Sequence, residues 1–137
     1  MPTWLALDIG ERRIGLAAGS DDARLARPLG IITRRVKREE FAAIARIAAE
    51  NHADRLLVGL PYNMDGSEGP QAKRIRNYVR LMERQVSLPV SFWDERLSSF
   101  AADEIIGEPG RRRHPHNDAI AATLILQSFF DAQPKDG

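Results

Sequence analysis

Cysteine is absent from the 137 residues, which excludes a disulfide framework and any thiolate metal site. Long apolar runs are missing too, and none approaches the roughly 18 residues that a membrane span requires. The opening Met1-Pro2-Thr3 carries no basic cluster, and the apolar run after it stops at Asp8. No signal peptide is therefore expected, and a cytoplasmic location is the default expectation. Charge of one sign is also scarce: the formal net charge is +1, so bulk electrostatics do not point to nucleic acid. What is there is ordinary for a soluble globular protein, with 43% hydrophobic and 28% charged residues. The length predicts a single domain over 1–137 with one core, and residues 132–137 as a frayed tail. The cations are mostly arginine and they cluster. Abundant alanine makes codon bias the plain explanation, although the planar, always-charged guanidinium is also the better phosphate ligand.

Hydrophobic periodicity predicts the elements. Thr3 to Gly10 reads as a strand that ends in a turn, with Asp8 interrupting an otherwise apolar run. Arg12 to Ala18 reads as a second strand, and Leu25 to Thr33 as a third, bent at Pro28 and Gly30. Connections this short make an antiparallel meander. Glu39 to Asn51 has apolar residues at helical spacing and two acids in its first turn. Arg55 to Gly59 is a short apolar strand, and Leu60 to Pro70 is a loop by its Gly, Pro, Asn and Asp content. A helix from Pro70 to about Val86 follows, then a strand over Leu88–Trp93, a short helix from about Leu97 to Ile106, and a last helix from Asn117 or Asp118 to Asp131. That order predicts an α/β fold with a mixed five-stranded sheet: a three-strand antiparallel meander plus two parallel strands, flanked by helices.

Three carboxylates stand in costly places. Asp8 ends the first strand, Glu95 follows the fifth, and Asp118 opens the last helix. Ala122, Ile125 and Phe129 lie at +4, +7 and +11 from Asp118, which puts that acid on the apolar stripe. An ionised carboxylate among apolar residues is costly unless it is paired or bound to a metal. The structural alternatives are an Asx turn for Asp8 and a helix cap for Asp118, a role that Asn117 could take instead. In α/β sheets, sites form at the carboxyl ends of strands; if the first and fifth strands are parallel neighbours or near neighbours, Asp8 and Glu95 end at the same edge, where the start of a helix packed on the sheet can present Asp118. Three carboxylates in one pocket repel and need cations. Oxygen-only ligands suit Mg²⁺ or Mn²⁺, and a pair of such ions is the usual arrangement for phosphodiester cleavage.

Basic groups cluster in two further places. Lys73, Arg76, Arg80 and Arg84 form a stripe along one helix, for which a solvated face is the ordinary meaning. Arg111, Arg112 and Arg113 with His114 and His116 form a basic loop, and the histidines read as exposed loop residues.

The chain resembles the YqgF/RuvX family of bacterial proteins. The resemblance covers nearly the whole chain. It rests on Leu7-Asp8-Ile9-Gly10 with Arg12-Arg13-Ile14-Gly15, and on Val58-Gly59-Leu60-Pro61 with Asn63-Met64-Asp65-Gly66-Ser67-Glu68-Gly69. It extends to Asp94-Glu95-Arg96-Leu97 and to Asp118-Ala119-Ile120-Ala121-Ala122 with Ile125-Leu126-Gln127-Ser128. Such proteins are RNase H-like nucleases described both as Holliday junction resolvases and as pre-16S rRNA nucleases. The resemblance implies that fold, Asp8, Glu95 and Asp118 as the acidic metal-binding set, a nucleic-acid substrate and often a homodimer. On that reading Asp8 bridges two ions, and Glu95 and Asp118 each complete one site. Arg12, Arg13, the Lys73/Arg76/Arg80/Arg84 stripe and Arg111–Arg113 contact phosphates. Asn63 and Asp65 shape the pocket, with turn formation at Asp65-Gly66 as the plain alternative. The segment 111–117 departs from the lysine- and glycine-bearing pattern usual in the family while keeping its charge.

Two other functional classes fit parts of the sequence. Asp8-Ile9-Gly10 with Gly15 looks like the first phosphate loop of the actin and sugar-kinase fold, but that fold needs two lobes to enclose ATP. A non-catalytic RNA- or ribosome-associated module is the other, and the presence of all three acids counts against it.

Overall fold

Five strands form one sheet: β1 (Thr3–Ile9), β2 (Arg13–Ser20), β3 (Arg27–Thr33), β4 (Arg55–Leu60) and β5 (Val90–Asp94). Among the described residues these helices accompany them: α1 (Lys37–Glu50), α2 (Pro70–Met82) and α3 (Pro115–Ala132). The structure, a computed structural model, describes residues 2–97 and 115–134, with the backbone alone for 115–118. All of the expected short helix from Leu97 to Ile106 except Leu97 itself, the loop residues Arg111–His114 and the side chain of His116 lie outside the described residues.

The strand order is β3-β2-β1-β4-β5. β1 pairs antiparallel with β2, and β2 antiparallel with β3, which is the expected meander. β4 then pairs parallel with β1, and β5 parallel with β4. β1 is the middle strand, and Trp4 to Leu7 are all buried. A strand covered on both faces must be apolar on both, which is why this run does not alternate.

The alternation of side chains divides the core into two layers. Leu5, Leu7 and Ile9 of β1, with Leu56, Val58 and Leu60 of β4, pack against Phe41 and Ile44 of α1 and Ile75, Val79 and Met82 of α2. Trp4 and Ala6 of β1, with Leu57 of β4, face the other way and pack against Ala122, Ile125, Leu126 and Phe130 of α3. Because successive strand residues point to opposite faces, Asp8 and Gly59 share the α3 side with Ala6 and Leu57.

Several polar contacts fix α3 on its face. The Gln127 side chain accepts from the Ala26 amide at 3.0 Å and donates to the Arg24 carbonyl at 3.0 Å. The Trp93 indole donates to Ser128 Oγ at 2.9 Å. Phe129 lies against both Trp4 and Trp93, with ring centroids at 4.6 and 5.4 Å.

Element ends differ from the sequence reading in a few places. α3 begins at Pro115, ahead of the expected Asn117 or Asp118. Proline suits a first turn because it lacks the N–H that has no helical partner there. Asn117 is thus inside the helix rather than its cap, and Asp118 falls in the first turn. α2 stops at Met82, but the Val86 amide still donates to the Met82 carbonyl at 2.9 Å, which keeps Val86 buried. β3 starts at Arg27 rather than Leu25, after Arg24 has taken a positive φ of 53°. Among the described residues, no helix is long and apolar enough to cross a membrane.

Candidate active site

The parallel registers set Leu7 beside Val58, and Val58 beside Phe92. One residue further along each strand come Asp8, Gly59 and Trp93. The carboxyl ends of β1, β4 and β5 therefore finish together, on the edge where sites form in such sheets. Asp8 pairs with Gly15 of β2 in register and is half-buried.

Glu95 reaches this edge by a backbone contact. Its amide donates to the Leu60 carbonyl at 2.9 Å, continuing the pairing of β4 with β5 past the end of the strand. Its side chain then lies across β4. A Cβ placed on Gly59 would fall 2.9 Å from Glu95 Cγ, 2.9 Å from its Oε1 and 2.7 Å from Ile125 Cδ1. The Glu95 carboxylate thus occupies the ground that any larger residue at 59 would fill, under α3 and on the strand between β1 and β5. Adjacent strands lie about 4.8 Å apart, so a group above β4 is one strand away from Asp8.

The third acid is placed by its helix. Asp118 lies one turn before the buried Ala122, and two turns before Ile125, which touches the Gly59 surface. The side chain of Asp118 is outside the described residues. Among the described residues, no three His, Asp or Glu side chains form a group that could hold a metal.

The 61–69 loop forms one wall beside Glu95. Gly66 takes a positive φ of 87°, and its amide donates to the Asn63 carbonyl at 2.9 Å. The Asp65 carboxylate accepts from the Ser67 amide at 2.9 Å and from the Ser67 hydroxyl at 2.6 Å. Those bonds hold the Asp65 carboxyl below its usual range. Asn63 donates to Ser67 Oγ at 2.9 Å. Asn63 and Asp65 therefore build the loop, which carries Met64 at its tip with 95% exposure.

Arg96 fastens this loop to β5. Its guanidinium donates to Asp94 at 2.7–3.1 Å, to the Asn63 carbonyl at 3.1 Å and to the Met64 carbonyl at 3.3 Å. It also lies over the Tyr62 ring, 5.6 Å from its centroid. The hydrogen bonds from Arg96 keep the Asp94 carboxyl below its usual range. Glu95 thus sits between two residues that are tied down.

The basic groups divide. Arg12 is exposed in the β1–β2 turn, and Arg13 is half-buried beside it. Lys73, Arg80 and Arg84 are exposed, and Arg80 donates to Asn77 at 3.2 Å. Arg76 is different: it grips Glu68 with two hydrogen bonds of 2.6 and 2.9 Å and lies 4.6 Å from the Phe92 ring centroid. Sequence reasoning set Arg76 on the basic stripe. It missed the pairing because Glu68 stands eight residues away, across a helix start, where no local spacing rule applies. It also missed the Arg96 fastening and the close approach at Gly59. A glycine inside an apolar strand was the available signal for the latter.

Solved structures share this architecture. Thermus thermophilus RuvC in complex with a Holliday junction substrate matches with a TM-score of 0.60 at 13% identity, covering 96% of this chain and 95% of that one. The fowlpox virus resolvase in complex with Holliday junction DNA matches with a TM-score of 0.54 at 9% identity, over 95% and 97%. Identities this low speak for the RNase H-like fold alone. Sequence relatives are nearer. A protein of Anaeromyxobacter dehalogenans (strain 2CP-1 / ATCC BAA-258) named "Putative pre-16S rRNA nuclease" is 42% identical over 93% of this chain and 95% of its own. A Chloroflexus aggregans protein of the same name is 40% identical over 96% and 94%. The family model described as "RuvX: Holliday junction resolvase" matches residues 2–132, and with these relatives it makes this chain a member of the RuvX family.

Proposed function

We propose that this protein is a divalent-metal-dependent endonuclease that cuts phosphodiester bonds in structured nucleic acid, with four-way DNA junctions and precursor 16S rRNA as its candidate substrates. The observation that carries the reading is the Glu95 carboxylate lying over Gly59, on the face and edge where Asp8 ends β1. Like charges are brought toward one another there at an electrostatic cost, which a cation would offset. The donors are carboxylate oxygens, the set that suits Mg²⁺ or Mn²⁺, and the missing side chain at Gly59 is what lets the Glu95 carboxylate lie over β4. Asp8, Glu95 and Asp118 are the residues that would hold the ions.

Bound there, the ions would lower the pKa of a water and offset charge developing on the scissile phosphate. The chain's own residues do the rest. Arg12 and Arg13, in the turn after Asp8 and at the start of β2, would position phosphates, and Arg111–Arg113 would add further phosphate contacts, as would Lys73, Arg80 and Arg84, which stand on α2 and just past its end at the other side of the sheet. Arg76 contributes by holding Glu68 and the 61–69 loop in place. Phosphate contacts carry no base information, so substrate choice follows shape. A homodimer would supply the two symmetric sites that paired cuts in a four-way junction require.

The test is cleavage by the purified protein with Mg²⁺ or Mn²⁺ on a synthetic four-way junction and on precursor 16S rRNA. Asp8→Asn serves as the control for contaminating nucleases. Symmetric, Asp8-dependent cuts in the junction assign a resolvase, and Asp8-dependent cuts in the RNA assign a maturation nuclease. Cleavage that survives Asp8→Asn undiminished, or no cleavage of either substrate, refutes the reading.

A further inference from the structure

A cleft of about 910 Å³ opens at the same sheet edge but on the opposite side, between the β1–β2 turn, the β3–α1 connection and α2. Its floor is Ile9, Ile75 and Tyr78, and its rim carries Arg35, Lys37 and Arg74. Among the described lining residues there is neither Asp8 nor Glu95. We propose that this cleft is a second nucleic-acid site that binds a single-stranded segment, its phosphates on the cationic rim and its sugars and bases against the exposed apolar side chains of Val36 and Leu81 at the mouth.

The charge arrangement supports this. Glu40 is 3% exposed and lies in the cleft wall. Its carboxylate accepts from Arg34 Nε at 3.2 Å, from the Arg35 amide at 2.8 Å and from the Tyr78 hydroxyl at 2.8 Å. The Glu40 charge is therefore answered inside the wall by Arg34. Arg35, Lys37 and Arg74 are exposed, and none of them is among the ion pairs formed by the described residues. Against them stands one exposed acid of the lining, Glu11. The Tyr78 ring is covered by Arg34, so the surface offered to a strand is the rim cations with the exposed apolar side chains beside them, an electrostatic groove of the kind that tracks a phosphate backbone. Val36 and Leu81, both exposed, extend the apolar surface to the mouth.

The cleft also adjoins the candidate active site. Arg34 stacks 4.7 Å from the Tyr78 ring centroid and donates to the Gly10 carbonyl at 2.8 Å. Gly10 and Glu11 form one wall of the cleft, and Asp8 lies two residues before Gly10. A strand leaving the Asp8 edge would cross the β1–β2 turn and enter the cleft. The choice of nucleic acid over another polyanion rests on the nuclease reading, while the cleft and its charge do not.

The experiment measures binding, not cleavage, on the full chain carrying Asp8→Asn. The probe is a short fluorescent single-stranded oligonucleotide, with inorganic phosphate and a polyglutamate peptide as separate arms. The variant R35Q/K37Q/R74Q is expected to weaken oligonucleotide binding about tenfold or more and to flatten the salt slope by about 2, since a single strand loses roughly 0.7 per phosphate contact. A variant with the same loss of charge elsewhere, R27Q/R46Q/R55Q, is expected to leave both where they were. A photoreactive side chain at Leu81 should crosslink to the oligonucleotide, a readout that does not depend on the charge variant folding. Equal binding by both triple variants, no crosslink from position 81, or tighter capture of polyglutamate than of the oligonucleotide would overturn the proposal. If no substrate is ever cut but the rim variant loses the oligonucleotide, the cleft stands and the nuclease reading falls. If cutting is Asp8-dependent and the rim variant binds as before, the cleft alone falls.

Discussion

Gly59 is the position where the arrangement of the candidate site can be perturbed most directly. Adding one methyl group, Gly59→Ala, places a carbon 2.7 Å from Ile125 Cδ1 and 2.9 Å from both Cγ and Oε1 of Glu95. Ordinary carbon contacts fall at about 3.5–4.0 Å, so these groups must give way by most of an ångström. Overpacking of this kind costs about 1–3 kcal/mol. The substitution also restricts the unfolded chain, which returns about 0.4–1 kcal/mol at a position without a positive φ. The net expectation is a destabilisation of about 1–2 kcal/mol, or a fall in Tm of about 3–8 °C for a chain of this size.

The two contacts can be separated. Ile125→Val removes Cδ1 at a cost of about 0.5–1.5 kcal/mol by itself. In the pair Gly59→Ala with Ile125→Val, part of the added strain is relieved, and the double variant should be more stable than the sum of the single effects. The displacement of Glu95 is not relieved. Cleavage should therefore stay low in both Gly59→Ala proteins while stability partly recovers. Urea unfolding and single-turnover cleavage, measured on the same preparations, check this. A Gly59→Ala protein that cuts as fast as the parent would refute the claim that the ground above Gly59 belongs to Glu95.

Three other outcomes are expected. Tyr78→Phe removes the hydroxyl that donates to the buried Glu40 carboxylate and should cost about 1.5–3 kcal/mol, as hydrogen bonds to charged groups do, measurable by denaturant unfolding. Arg96→Ala should change global stability by less than about 1 kcal/mol, because its pair with Asp94 is partly exposed, yet it should speed amide exchange across residues 61–69. Acid should loosen the same loop. Glu68 is held below its usual range by the Arg76 hydrogen bonds and Asp94 by those of Arg96, so their contribution is complete above the ordinary carboxylate range and is lost as pH falls through the depressed values, below about pH 4. Amide chemical shifts of Asn63 to Ser67 followed by NMR from pH 6 downward would report it, and shifts that stay constant to full acid unfolding would contradict it.

The sheet was legible because its strands obey period and punctuation. The unbroken apolar run from Trp4 to Leu7 is what a strand buried on both faces must look like, and the meander follows from connections too short for anything else. Asp8 was legible for the complementary reason, since a carboxylate inside such a run needs an explanation. The contacts that hold the candidate site together were not legible. Arg76 with Glu68, Arg96 with the Asn63 and Met64 carbonyls, and Glu40 with Tyr78 join residues whose separation follows no local rule. The start of α3 was misjudged for a simpler reason: Asn117 and Asp118 are good caps, and cap preference outweighed the proline two residues earlier.

The turn from Ile9 to Arg12 has a role beyond joining two strands. Strand alternation sends Asp8 to the α3 side and Ile9 to the α1/α2 side, so adjacent residues face the candidate active site and the floor of the basic cleft. A register slip of one residue in β1 would exchange them, burying a carboxylate against α2 and carrying an isoleucine to the candidate active-site edge. The turn is held against that slip at both ends. The Gly10 amide donates to the Arg13 carbonyl at 2.9 Å, and the Gly10 carbonyl accepts from Arg34 at 2.8 Å. The Arg34 amide in turn donates to the Arg12 carbonyl at 2.8 Å. Arg34 is thereby the residue that ties β3, the turn and the Glu40–Tyr78 pair together. Its replacement by glutamine should disturb the Asp8 edge and the cleft at once, whereas Arg35→Gln beside it should disturb the cleft alone. Binding and cleavage measured on both variants separate the two roles, and equal effects from the two substitutions would show that the turn is not a wall shared by the two sites.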